Sequence, residues 1–206
     1  MTENQTQTEP LRSTFTFDPL GWTPWMERAT DTELAPEQRE RVEAFIGNVP
    51  HADYLAVLAN DFAALQTRAL VHHHVYSSTD PEPSAYRELG ATTASRINGC
   101  VFCASVHARM FASFSKQRDL IKDFLAEGID TELPPLERAI VDLSAKVTRD
   151  PESLTAADLA PLREQGLDDV TILDVINYAA FFANANRLML TLGEPKPPTS
   201  RTTAER

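Results

Sequence analysis

Cysteine is almost missing from this chain: there are 2 in 206 residues, Cys100 and Cys103. A chain of that length can bury a core without covalent staples, and two thiols make no disulfide framework. Stability therefore does not require the pair, and its presence calls for a chemical reason. Glycine is also scarce, at 7 residues, and 42% of the chain is hydrophobic, which suits a helix-rich globular protein. Positive charge is in deficit: 19 Lys and Arg against 30 Asp and Glu give a net charge of −11. That balance disfavours electrostatic capture of nucleic acid or of an anionic membrane surface. No run of about 18 apolar residues is present, and the opening MTENQTQTEPLRSTFTF lacks a basic segment followed by an apolar one. The expected compartment is the cytoplasm, where two cysteines serve catalysis or metal binding more often than permanent cross-linking.

What the chain does contain is helical periodicity. The first 14 residues are polar and aperiodic and are expected to be mobile or to drape over another surface. In TFDPLGWTPW, Phe17, Leu20, Trp22 and Trp25 are interrupted by Pro19, Gly21 and Pro24. Such an irregular aromatic segment needs a surface, its own core or a neighbouring subunit. From Pro36 the pattern turns helical, with Pro36 near a helix start and Gly47 near its end. HADYLAVLANDFAALQTRALVHHHVYSS places Tyr54, Leu55, Leu58, Phe62, Leu65, Leu70 and Val71 mainly on one helical stripe. VHHHVYSS, with His72, His73 and His74, reads as a helix end reaching solvent.

Further helices are expected over about Pro83–Ile97, Cys100–Ser115, a segment closed by Gly128, LERAIVDLSAKVT, a short stretch through TAADLAPLREQG, and about Asp168–Leu192. Almost nothing remains for strands, so the fold class is all-α. The organisation expected is an arm over 1–35, a helical domain over 36–193 and a disordered, proline-rich tail over 194–206.

The chemistry concentrates in RINGCVFCASVH, residues 96–107. Asn98-Gly99 is a natural helix stop, which puts Cys100 in the first turn of the next helix. There the free N–H groups and the positive end of the helix dipole favour a thiolate. Positions i, i+3 and i+7 align Cys100, Cys103 and His107, and an imidazole one turn from Cys103 can accept its proton. If the preceding helix folds back antiparallel, Glu88 stands level with His107 at 1.5 Å of rise per residue. A carboxylate there can orient the imidazole, or it can meet water instead.

Glu88, eleven intervening residues, Cys100-x-x-Cys103, three residues and then His107 resemble the signature of AhpD-like alkylhydroperoxidases in the carboxymuconolactone decarboxylase superfamily. NGCVFCASVHARM is similar to that family's Asn-x-Cys-x-Tyr-Cys-x-x-x-His, and LERAIVDLSAKVTRDP through ANRLMLTLG resembles the peroxidase-related branch. The resemblance spans about 36–193. It implies an AhpD-like helical bundle built on helix–break–helix hairpins, assembled as a homo-oligomer. It further implies a peroxidase acting on hydrogen peroxide or organic hydroperoxides, with no bound cofactor. On this chain Cys103 would attack the hydroperoxide and become a sulfenic acid that Cys100 resolves. His107 and Glu88 would form the proton relay. An external dithiol, dihydrolipoamide or a thioredoxin-like donor, would then attack the more exposed Cys100. Phe102 stands where well-studied members carry histidine, so a second imidazole beside the thiolate is absent.

Three other readings compete. One is a thiol redox sensor or interaction module that changes shape without turnover. Another is a carboxymuconolactone decarboxylase-type enzyme, although those relatives do not use a C-x-x-C pair. The third is a zinc site, which would need a fourth ligand besides Cys100, Cys103 and His107; His72, His73 and His74 are the only cluster, and consecutive helical residues diverge. Asn177, Asn184 and Asn186, in an apolar helix, are expected to hold helices together or to line a substrate entrance.

Overall fold

Proline and glycine mark where most helices begin and end. The computed structural model describes residues 14–47, 49, 51–76 and 81–197; the expectations for residues 1–13 and 198–206 lie outside them. A short strand, β1 (Gly21–Pro24), leads into α1 (Pro36–Ile46), α2 (Ala52–Leu58), α3 (Phe62–Tyr76) and α4 (Pro81–Asn98). α5 (Val101–Ser115), α6 (Arg118–Glu127), α7 (Pro135–Arg149), the one-turn α8 (Ala160–Glu164) and α9 (Asp169–Leu192) follow, and β2 (Gly193–Lys196) ends the described chain. The fold is all-α apart from the two-stranded ribbon.

α4 is the central helix, packing against α5, α7 and α9. Its run Leu89–Ser95 is wholly buried and consists mostly of small residues, so neighbouring backbones come close. Its buried hydroxyls turn back on the helix: Thr92 Oγ1 donates to the Glu88 carbonyl at 2.7 Å and Thr93 Oγ1 to the Leu89 carbonyl at 2.8 Å. Leu89, Phe111, Ile121, Phe124, Ile140, Val141, Leu162 and Val175 form the centre of the core around it. α9 is capped by Asp168, whose carboxylate accepts from the Thr171 N–H at 2.8 Å.

Three expectations need correction. The helical stripe expected through HADYLAVLANDFAALQTRALVHHHVYSS is broken by a 3₁₀ turn at Ala59–Asp61, where the Asn60 amide donates to the Glu27 and Val57 carbonyls at 2.8 and 2.9 Å. Beyond the break, Leu70 and Val71 are 61% and 53% exposed. The inward face of α3 is instead Leu65, Arg68, Ala69 and His72. His72 therefore turns into the molecule while His73 reaches solvent; the side chain of His74 lies outside the described residues.

The third correction concerns both ends of the chain. Residues 194–196, expected to be disordered, pair antiparallel with β1, Gly21 opposite Lys196 and Pro24 opposite Gly193. The aromatic arm finds its surface on its own core. Trp22 is buried, its Nε1 donates to the Met189 carbonyl at 3.3 Å, and its ring meets Tyr54 edge-on. Gly193 permits this approach, because a Cβ there would overlap the Trp22 indole. Phe15 and Phe17 lie under the guanidinium groups of Arg96 and Arg118, while Trp25 stays half exposed.

Candidate active site

The site is assembled by the turn between α4 and α5. Gly99 takes φ +79°, a left-handed conformation that side chains rarely adopt, and so ends α4. The chain reverses at once, with the Cys100 N–H donating to the Ser95 carbonyl at 2.9 Å. α5 then starts at Val101 with Cys100 as its N-cap residue, one position earlier than a first-turn residue, and Cys103 in its first turn. The two sulfurs lie 2.9 Å apart as free thiols; a disulfide needs about 2.05 Å. Once one of the sulfurs has been oxidised, a small movement is enough to close the bond.

The sulfurs face different spaces. Cys103 belongs to the wall of a largely apolar cavity of about 420 Å³ between α2, α3, α5 and α9. Cys100 borders a recess of about 30 Å³ roofed by Trp22, Gly193 and Pro195. The expectation that Cys100 is the more exposed thiol does not hold: the two are 3% and 4% exposed, because the β1–β2 ribbon covers Cys100.

The fold-back brings Glu88 to His107 as the level argument expects. Glu88 Oε2 and His107 Nδ1 are 2.6 Å apart, with both side chains buried. The Tyr178 hydroxyl donates to the other carboxylate oxygen at 3.5 Å. The ring of His107 packs against Phe182, centroids 3.9 Å apart, and borders the same cavity as Cys103. With Nδ1 engaged by the carboxylate, Nε2 is the nitrogen left for exchanging a proton.

Electrostatics couples the two thiols. The hydrogen bond shared by the two sulfurs lowers the Cys100 pKa, and the nearby Asn186 amide lowers it further. Cys103 is pushed well up, first by the same hydrogen bond, then by burial and by the charge on Cys100. The first ionisation thus belongs to the pair. Three further groups of the cavity wall are neutral at pH 7: burial pulls His51 and His72 down to about 4 and raises Tyr54 to about 12.

α9 contributes Asn186, expected to hold helices together or to line a substrate entrance, and Met189, for which the sequence suggests no site role. Asn186 is fully buried, accepts from Asn98 Nδ2 at 3.1 Å and donates to Ser95 Oγ at 3.0 Å. It does hold helices together, and it also stands beside both sulfurs. Met189 Sδ lies 3.6 Å from Cys103 Sγ. Tyr178, Phe182, Asn186 and Met189 recur at helical spacing, a signal available in the sequence. Asn177 and Asn184 are exposed and take no part. Among the described residues, no group of three or more His, Cys, Asp or Glu is placed to hold a metal ion.

Comparison with known proteins agrees with this architecture. The carboxymuconolactone decarboxylase family model matches residues 63–131, the segment that carries Glu88, Cys100, Cys103 and His107. A crystal structure from Ralstonia eutropha JMP134, described as an alkylhydroperoxidase AhpD core and a peroxidase-related protein, is 24% identical. It covers 85% of this chain and 91% of its own, with a TM-score of 0.66. A peroxidase-related protein from Silicibacter sp. TM1040 is also 24% identical, covering 82% of this chain and 92% of its own, at the same TM-score. A search of curated proteins finds no match. The fold is AhpD-like. The match of the carboxymuconolactone decarboxylase family model over 63–131 is in line with the resemblance drawn from the motif. No helix among the described residues is long and apolar enough to cross a membrane.

Proposed function

We propose that the protein is a thiol peroxidase that reduces organic hydroperoxides or hydrogen peroxide through Cys103 and Cys100, with His107 and Glu88 as its proton relay. The observation that carries this reading is the juxtaposition of a 2.9 Å thiol pair and a 2.6 Å carboxylate–imidazole pair, with Cys103 and His107 on the wall of one apolar cavity.

Cys103, as thiolate, attacks the terminal oxygen of the hydroperoxide. An S–O bond forms, the O–O bond breaks, and the alkoxide leaves. His107 takes up the thiol proton and returns it to the alkoxide, while Glu88 stabilises the transient imidazolium. The products are an alcohol and a Cys103 sulfenic acid. Cys100 then attacks Cys103 Sγ, a disulfide forms and water leaves. An external dithiol restores both thiols and is itself oxidised to a disulfide. The rise in the Cys103 pKa is compatible with this order: the pair holds one negative charge, and moving the shared proton to Cys100 puts that charge on the sulfur facing the cavity.

The ribbon over Cys100 constrains the donor, which must be slim, as dihydrolipoamide is, or must displace the Trp22 strand. That burial is also the one observation favouring the second reading, a redox sensor in which disulfide formation shifts the ribbon without turnover. We place the protein in the cytoplasm as a homo-oligomer; exposed Val170 and Leu173, one turn apart on α9, support the latter. Steady-state consumption of cumene hydroperoxide with dihydrolipoamide tests the enzyme reading. Sustained turnover supports it, and a single stoichiometric oxidation without turnover leaves the sensor.

A further inference from the structure

The cavity beside Cys103 contains one Lys or Arg, Arg68, and no Asp or Glu among the described residues of its wall. Arg68 forms no ion pair or hydrogen bond with a described residue. Its guanidinium lies 4.5 Å from the Phe181 ring centroid and 5.7 Å from that of Tyr54, and its Nε is buried without an acceptor. Cation–π contact offsets part of the cost of removing a guanidinium from water, but it leaves the N–H donors unused. The wholly buried Arg87 is treated differently. It has Asp174 and Ser84.

The surroundings define what would complete Arg68. Its charge acts on His51, Tyr54, His72 and Cys103, so all of these groups share one space. The two histidines are neutral at pH 7, and Tyr54 keeps its proton; the Tyr54 hydroxyl is itself buried without a partner. Neutral imidazole and phenol can each donate a hydrogen bond to an anion that a guanidinium holds. The remaining wall is apolar, including Leu55, Leu65, Met110 and Phe182.

A planar guanidinium matches a carboxylate through paired N–H···O bonds. A phosphate is served by several cations or by a helix N-terminus, and this wall has a single cation. We propose that Arg68 receives the carboxylate of an apolar-bodied acidic hydroperoxide, of the fatty-acid hydroperoxide class, and so selects acidic over neutral substrates. This substrate assignment rests on the peroxidase reading. The carboxylate site itself does not.

Calorimetric titration of the reduced protein at pH 7 with decanoate and with decanol tests the site without turnover. Decanoate is expected to bind about tenfold or more tightly than decanol. The preference should vanish in Arg68→Met and survive in part in Arg68→Lys, with thermal melts reporting the fold of each variant. Equal binding of the two probes to the wild type, or tighter binding of decyl phosphate than of decanoate, overturns the assignment. In turnover with a dithiol donor, linoleic acid hydroperoxide is expected to exceed its methyl ester in kcat/KM through a lower KM, with that ratio collapsing in Arg68→Met. An equal loss for acid and ester would assign Arg68 to Cys103 rather than to substrate and would also overturn it. The two failures are separable: Arg68-dependent decanoate binding without any hydroperoxide turnover removes the peroxidase reading and leaves the carboxylate site standing.

Discussion

Glu88 Oε2 lies 2.6 Å from His107 Nδ1, nineteen residues apart in the chain and held there by one turn at Asn98-Gly99. Both groups are buried, so the carboxylate fixes the ring's orientation and leaves Nε2 for the cavity. Replacing His107 by Asn should lower kcat/KM for hydroperoxide by about 10²–10⁴-fold, the range for losing a positioned acid–base group. Glu88→Gln keeps the shape but no longer stabilises an imidazolium, and a loss of about 10²-fold is expected. A positioning role predicts that the pH profile of Glu88→Gln changes shape as well as height, measured as kcat/KM from pH 5 to 9. An unaltered profile at reduced height would mean that Glu88 is only structural.

The thiols should separate by role. Cys103→Ser is expected to abolish hydroperoxide consumption, because the sulfur on the cavity wall is gone. Cys100→Ser should still react once and then stop as a sulfenic acid, detected as a gain of one oxygen or by a dimedone adduct at Cys103. Brief hydroperoxide treatment of the wild type should remove two hydrogens, with the disulfide mapped to Cys100–Cys103. Retained peroxidase activity in Cys103→Ser would assign the attack to the other sulfur.

The parts of this site that were legible in the sequence are the local ones. Asn98-Gly99 and the i, i+3, i+7 spacing determine the hairpin, and helical rise alone puts Glu88 level with His107. The rest depends on contacts between distant segments. Asn186 and Met189 reach Cys103 across more than 80 residues, and a helical stripe identifies a face without naming its partner. On α3 the hydrophobic pattern misleads: apolar Leu70 and Val71 point outward while polar Arg68 and His72 turn toward the cavity. The ribbon was invisible for a different reason. GWTP and GEPK are short, contain proline and do not alternate, so they become strands only through pairing with each other.

Acid should destabilise the fold through His51 and His72. Burial pulls both to about 4, with smaller contributions from the charges of neighbouring His107 and Arg68, whereas an unfolded chain titrates at the ordinary value of 6.5. Between those values the unfolded state binds protons that the folded state refuses, so the stability present above about 6.5 is lost as the pH falls toward 4. Urea midpoints should therefore decline across that window. The decline should be shallower in a His51→Gln, His72→Gln double variant, and an unchanged slope would show that other groups carry it.

Trp22 is the residue that joins stability to access at Cys100. Its indole is buried between Tyr54, Met189 and Gly193, and it roofs the recess that Cys100 borders. Trp22→Ala should cost about 3–5 kcal/mol, the usual range for emptying a buried aromatic site. The same change removes the roof, so Cys100 should be alkylated by iodoacetamide well before Cys103 and faster than in the wild type, as followed by peptide mass mapping. Recycling by a bulky thioredoxin-like donor should accelerate relative to recycling by dihydrolipoamide, because only the larger donor needs the ribbon displaced. If alkylation of Cys100 is as slow in Trp22→Ala as in the wild type, the ribbon does not control access and the reductant reaches the disulfide from the Cys103 cavity.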